Sequence, residues 1–450
     1  MAASILATGS KAPLNVLIVG AGVCGPAFAL MLMKSNPSHN ITIIERSASL
    51  RTGGQQIDLN NQSISIINKL GLLDAIRAFC VKESGMEIVD KNGKSIMQFG
   101  IKAAGAKQGP TLTQEFEFMR GDLVNLFVTE TEKERQKAEQ SGLKKGSLTY
   151  LFNTTITVLS PSTKTPGVNV TFSSSHATHY DLVVAADGQG SRTRKLAFGE
   201  EINTPAFNSL NIHAAFYNIP RQPTETSLAR VYMGPNRRLY LIRTGNRPKT
   251  QIYQFLVNAS PEESSYMKKT YRHPLAEQKA AWTALFMGAG WETPRFLKGM
   301  ETTEDFYACE IGQVKMPGQV LHKDRVVLVG DAGYCPSPFT GMGTTLSLIG
   351  AYVLAGELGR SGASVEEALE RYQEIMKTPV EECQKLTPGF RGGIYPTSAW
   401  GIWVVNSLLW GMACLRVDKV LGWVAGFFPD AKMAWKLPEY EEVMSEERGG

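Results

Sequence analysis

Gly20, Gly22 and Gly25 stand as G-x-G-x-x-G within GAGVCG, and Glu45 follows 20 residues after the last of them. A glycine turn of this spacing lets backbone approach a pyrophosphate, and an acid at that distance can hold ribose hydroxyls, so the chemistry on offer is dinucleotide binding. Two further acids close apolar runs: Asp187, in YDLVVAADGQGSRTRK with Ser191 and Arg194 beyond it, and Asp331, in DRVVLVGDAGYCPSPFTGMGTT. In the second, two prolines and two glycines frame Met342 before an apolar run. That stiff turn suits either a ligand needing close backbone approach or a plain strand–helix connection.

The elements that must carry these residues are legible from pattern. NVLIVG (15–20) reads as a buried strand, PAFALMLMKS as the next helix and ITIIER (41–46) as the following strand, a βαβ unit that opens a helix N-terminus toward phosphate. NQSISIINKLGLLDAIRAF predicts one amphipathic helix, and 120–142 predicts another whose charged second half is a solvated face. Residues 84–118 alternate, and 205–320 are strand-rich with a helical insert near 262–287. GAGWE (288–292) follows a helical segment, so it is not a second fingerprint. Cys24 reads as a small packing residue.

The chain has 450 residues, 43% hydrophobic and 20% charged, which supports a sizeable core. Its net charge of +5 comes from scattered Lys and Arg and gives no nucleic-acid signature. The six cysteines form no C-x-x-C pair, so no metal site or disulfide framework is expected. No secretory leader is evident, and a cytoplasmic location is expected.

Taken together, GAGVCG, ADGQGSRTR and GDAGYCPSPFTGMG resemble, in that order, the three cofactor segments of the aromatic-hydroxylase type of flavin monooxygenases (group A), including the tetracycline-inactivating enzymes. The resemblance spans most of residues 13–385. It implies an α/β fold: a Rossmann-like FAD-binding domain in three pieces (13–83, 119–204, 323–390), interleaved with a mixed-sheet substrate domain (84–118, 205–322) and followed by a hydrophobic helical segment (391–450). It implies non-covalent FAD held by Gly20, Gly22, Gly25, Glu45, Arg46, Arg120 (in MRGDL), Asp187 and Asp331. Pro338, Gly341, Gly343 and Thr344 would lie along the isoalloxazine ring. Family members often have His at Tyr334 and Asn at Thr345, so ring contacts there are expected to differ.

The resemblance further implies an enzyme in which NADPH or NADH acts as a transient reductant. O2 then yields a hydroperoxyflavin that hydroxylates or epoxidises an electron-rich aromatic, polyketide or indole-type molecule. The flavin carries that chemistry, so no catalytic triad is expected. Asp58, His213, Tyr232 and Arg243 are the candidate catalytic residues, and Gln56, Phe216 and Tyr240 join them as candidate lining. A flavin oxidase or dehydrogenase, or an idle flavin-binding protein, are the alternatives. Residues 399–428 hold a 17-residue uncharged run (399–415), a charged break and a second apolar run. They are read as a brace across both domains, as in the tetracycline-inactivating enzymes, with membrane-surface association or a dimer contact left open.

Overall fold

The computed structural model describes residues 12–51, 53–100, 116–140, 146–386, 395–414 and 433–443. Two large sheets organise them. A six-stranded sheet runs in the order His322–Lys323, Val326–Leu328, Leu182–Ala185, Asn15–Val19, Asn40–Ile44, Leu148–Leu151, parallel throughout except for the first pair. Its strands are apolar on both faces because both are covered. Val16, Ile18, Ile41, Ile43 and Val184 pack under the helices Cys24–Ser35 and Gly343–Gly359. Leu17, Val19, Ile44 and Val183 pack instead on a three-stranded antiparallel sheet, 156–180. The architecture is α/β and Rossmann-like, interleaved with a mixed sheet, as expected.

That mixed sheet has seven strands, ordered Phe306–Val314, Phe207–Pro220, Lys249–Leu256, Arg238–Arg243, Leu228–Gly234, Gly85–Val89, Ser95–Gly100. One face is covered by the helices Pro261–Thr270, Leu275–Phe286 and Thr293–Thr302, with Ala215, Tyr217, Tyr232, Tyr240 and Ile252 buried against Trp282, Phe286 and Phe296. The other face carries Ile212, Ala214, Phe216, Tyr253 and Phe255 and looks toward Phe339 in the glycine-bearing turn. Strand alternation therefore decides which residues can reach a ligand between the two sheets.

Local chemistry explains two departures from the sequence reading. The single helix expected after residue 60 is two, Asn61–Lys69 and Leu73–Ala78, because Gly71 turns the chain at φ +73°. GAGWE is a connection between helices, with Gly288 and Gly290 at φ +71° and +94°, as its discounting required.

The helix Ala399–Cys414 lies on the seven-stranded sheet's edge, where Leu409 is buried with Ile88 and Met97, and Val405 and Met412 pack beside them. Residues 433–443 return to the six-stranded part: Val443 and Tyr440 enter its core, and Tyr440 donates to Glu357 at 2.7 Å. The two described pieces of the C-terminal segment thus divide between the two sheets. The second apolar run and Trp423 lie outside the described residues, and no described helix is long and apolar enough to cross a membrane.

At the first strand's end, Gly20 has φ +107° and comes so near residue 186 that an added Cβ would stand 2.6 Å from the Ala186 carbonyl oxygen. A Cβ on Gly25 would collide with the Gly20 carbonyl oxygen. Backbone cannot yield as a flexible side chain can, so Gly25→Ala is expected to destabilise by about 1–3 kcal/mol. A chemical-denaturation curve indistinguishable from wild type would contradict this packing.

Candidate active site

Three strand ends and two helix starts meet at one place. Leu182–Ala185, Asn15–Val19 and Val326–Leu328 finish side by side, leading into Asp187, Gly20 and Gly330. Gly330 adopts φ +66°, and a Cβ there would stand 3.2 Å from Cys24 Sγ and 3.0 Å from Ser347 Oγ. The helices opening at Cys24 and Gly343 therefore begin close together. Neither has a side-chain cap, since Val23 and Met342 occupy the cap positions. Their first-turn N–H groups suit an anion or a polar ring edge.

The acids differ in their engagement. Glu45 Oε2 accepts from the Ala21 N–H at 3.1 Å and Oε1 from the Ser47 N–H at 2.9 Å, which fixes its carboxylate beside the glycine turn. Asp187 accepts from Ser191 Oγ (2.5 Å), Thr193 N–H (3.0 Å) and Thr193 Oγ1 (2.9 Å). It shapes its own loop with its side chain and presents the backbone of Gly188 and Gly190. Asp331 is half-buried, and burial pushes its carboxyl up, opposed by the Cys335 thiol and the Arg120 charge. A carboxyl so placed gains from hydroxyl donors.

Cations surround the same turn. Arg120 Nη2 lies 3.2 Å from where a Gly22 Cβ would be, and Arg120 packs along Gly54. Arg51 is held below its ordinary value, by desolvation first and then by Arg46 and Arg120. Among the described residues neither Arg46 nor Arg120 is in an ion pair. A Cβ at Gly188, Gly190 or Gly343 would meet nothing within 4 Å. Open glycine backbone, uncapped helix starts and like-charged guanidiniums together fit an anionic dinucleotide with a flat ring, and the residues expected to hold FAD occur together here.

The second wall is the seven-stranded sheet. Phe216 packs edge-on to Tyr253 (5.2 Å) and Phe255 (6.0 Å), stacks with Tyr307 (6.3 Å), and Phe255 reaches Phe339 at 6.0 Å. Near this wall, Arg243 donates to Glu83 at 2.9 and 2.6 Å and to Glu117 at 2.6 Å. Gln56 joins Glu117 by its side-chain amide, and its backbone N–H donates to Gln251 Oε1 (2.9 Å) and Tyr253 Oη (2.8 Å). Asp58, paired across strands with Glu117, lies where its Oδ2 is 3.5 Å from a would-be Gly341 Cβ. Its carboxyl is pushed up to about 7, by burial first and then by the Glu117 charge, against Arg243 and an Asn60 hydrogen bond. Asn60 also donates to the Gly341 carbonyl at 3.1 Å, clamping that turn.

Several expectations need correction. His213 and Tyr232 point to the opposite, helix-covered face. His213 is fully buried between Tyr271 Oη (2.8 Å) and Ser264 Oγ (3.0 Å), and burial lowers its pKa. Tyr232 donates to the Ala289 carbonyl, and Tyr240 is buried beside Phe286 and Phe296. All three match His213 and not Phe216 in strand face. Arg243 does face the site, but as a neutralised member of an ion cluster. Tyr334 turns into the core and bonds Tyr372 at 2.9 Å. Thr345 is likewise buried and accepts from the Asn60 N–H at 3.1 Å. Pro338 is exposed and Gly341, Gly343 and Thr344 half-buried, an accessible strip along the turn. Sequence reading missed Arg51, Asn60, Tyr253, Phe255 and Phe339. The alternation of Tyr253 and Phe255 along the Lys249–Leu256 strand could have found those two.

The family model described as FAD binding domain matches residues 13–384. FAD-dependent monooxygenase asL6 of Sarocladium schorii is 33% identical over 433 residues, 95% of this chain and 98% of the relative. Monooxygenase CTB7 of Cercospora beticola is 32% identical over 437 residues, 95% and 97%. The crystal structure of tetracycline destructase Tet(51) superposes with a TM-score of 0.71 at 26% identity, covering 91% of this chain and 98% of that one.

A carboxyl that bonds a ligand's hydroxyls leaves them unpaired when removed, so if Asp331 holds FAD in this way Asp331→Ala is expected to weaken FAD binding by roughly 1–3 kcal/mol, about fivefold to 150-fold. Titration by flavin fluorescence measures this, and wild-type affinity would refute the assignment. Arg243→Met strands two buried carboxylates and is expected to cost about 3–5 kcal/mol of stability, read by thermal or denaturant unfolding.

Proposed function

The chain belongs to the FAD-binding-domain family and is an FAD-dependent monooxygenase, and from that premise we propose that it spends NADPH or NADH to insert one atom of O2, by hydroxylation or epoxidation, into a neutral, flat, electron-rich small molecule. The observation that carries the substrate class is the aromatic wall of Phe216, Tyr253 and Phe255, which faces the glycine strip and meets its Phe339. Rings recognise such a wall by offset and edge contacts. Arg243, whose charge acts on Tyr253 of that wall, is already held between Glu83 and Glu117, so it offers no counter-charge to an acidic substrate. Tet(51), by its name, acts on tetracycline, which agrees with a ring-bearing substrate for this chain.

In this reading Gly20, Gly22, Gly25 and Arg120 take the pyrophosphate, Glu45 the ribose and Asp331 the ribityl chain, while the Pro338–Thr344 strip supports the ring. Arg46 and Arg51 add positive charge on the same side. Bound FAD supplies two-electron redox chemistry and activation of O2. The protein's own part is to orient the substrate ring against the strip and to exclude water with the Phe216 and Phe339 side. A single fingerprint in the sequence supports a reductant that visits and leaves. Membrane-surface association through 399–428 stays part of the proposal: Trp400, Trp403 and Trp410 are 74%, 64% and 58% exposed on the Ala399–Cys414 helix.

Incubation with isotopically labelled O2, NADPH and a library of neutral aromatic metabolites is expected to give a product carrying one labelled oxygen atom. Substrate oxidation without incorporation of label would convert the reading to an oxidase.

A further inference from the structure

We propose that Asp58 is the acid–base group of the site: it enters turnover protonated and gives its proton to the oxygen atom destined for water. The inference rests on the monooxygenase reading above, and its foundation is a charge count in the cluster that joins the two sheets. Three carboxylates, Glu83, Glu117 and Asp58, share one guanidinium, Arg243. The guanidinium's ion pairs go to Glu83 and Glu117, whose side chains are 1% and 6% exposed. Asp58 faces Glu117 across the Gln56–Asp58 and Glu117–Met119 strands and receives none of those contacts. With all three acids ionised the cluster would carry a net charge of −2, in a place where burial makes unpaired charge costly. A proton on Asp58 reduces that charge at the member least held by Arg243.

The groups facing Asp58 are few. Glu117 repels its charged form, Arg243 favours that form from the Arg238–Arg243 strand, Asn60 bonds it from its own segment, and the Gly341 turn contributes backbone only. Glu83 and Tyr253 act on it through Arg243 and through Gln56. On the ligand side Asp58 stands beside Gly341, in the strip that would support the ring. Among the described residues Asp58 is the carboxyl beside Gly341, whereas Asp331 follows the Val326–Leu328 strand and Glu45 lies at the first glycine turn.

The overall reaction needs the proton. Substrate–H, O2, NAD(P)H and one H⁺ give substrate–OH, H2O and NAD(P)⁺. A C–H or C=C bond is oxidised, NAD(P)H is oxidised, and O2 is reduced by the four electrons they release. The proton that completes the water comes from Asp58, which regains one from solvent because it is half-buried rather than sealed.

The test uses purified holoenzyme. In pH-difference infrared spectra from about pH 5 to 9, a protonated-carboxyl carbonyl band is expected to disappear with a midpoint near 7 in wild type and to be missing in Asp58→Asn. Folding stability gives the sign independently. The folded state holds a proton that the unfolded chain releases at ordinary carboxylate pH, so stability falls as pH rises from about 4 to 7, and Asp58→Asn should lose that part of the fall. With the substrate found by the labelled-oxygen screen, turnover should decline above about pH 7 in wild type, and Asp58→Asn should be at least about tenfold slower without that limb. Glu117→Gln keeps the Arg243–Glu83 pair and removes the repelling charge, so both midpoints should move to lower pH. A band that persists in Asp58→Asn, or a limb unmoved in both variants, overturns the proposal. If nothing in the screen is oxygenated, the functional reading fails, while the infrared band separately decides whether Asp58 holds the proton.

Discussion

The end of the first strand, pressed against the Ala186 carbonyl, is the constraint on which the site depends. Only a residue without Cβ can take φ +107° at that separation. Given Gly20, the following helix can start immediately and lean on the sheet, which Gly25 permits. The helix start then sits beside Gly330, whose own left-handed conformation sends the third strand's continuation under the Cys24 thiol. Two uncapped helix N-termini come to lie close together as a result. Anion affinity here is thus a product of backbone geometry, with the arginines adding charge to a shape already made.

The opposite wall depends on a different kind of contact. Arg243 binds Glu83, beside the Gly85–Val89 strand, and Glu117, on the short strand that pairs with Gln56–Asp58. A hydrophobic cluster of similar volume could hold these segments at least as firmly, since buried ion pairs recover little net energy. What a guanidinium fork adds is direction: two carboxylates must arrive at fixed angles. The aromatic face and the glycine strip are thereby set against one another, and Asn60 ties the strip to the same short strand. Positioning between the two sheets thus joins these polar contacts to the Phe255–Phe339 contact, while each sheet's interior rests on apolar packing.

Much of this was legible in the sequence. The glycine spacing and the strand–helix–strand order predicted the first turn and its βαβ unit, because local backbone requirements leave a local record; Glu45, Arg120 and Asp331, proposed to hold the cofactor, lie around that turn. Asp58 was also singled out, and it stands at the junction. His213, Tyr232 and Tyr240 misled because residue type was weighed without strand face. In a sheet covered on both sides, polar and aromatic residues occur on either face, and the alternation that marks a half-exposed strand is lost. Tyr334, where ring contacts were expected to differ, points into the core and finds Tyr372. The Arg243 cluster draws on segments more than a hundred residues apart in sequence, so no local pattern announces it.

Residues 433–443 bear on how the molecule is made. Tyr440 lies against Gly356 and Tyr352, and Val443 is wholly buried in the core that the first strand began. The first and the last described segments therefore belong to one hydrophobic body, with the whole seven-stranded sheet synthesised between them. On a ribosome the intervening sheet can pair its strands as they emerge, whereas the cofactor-bearing core stays open until translation has passed residue 443.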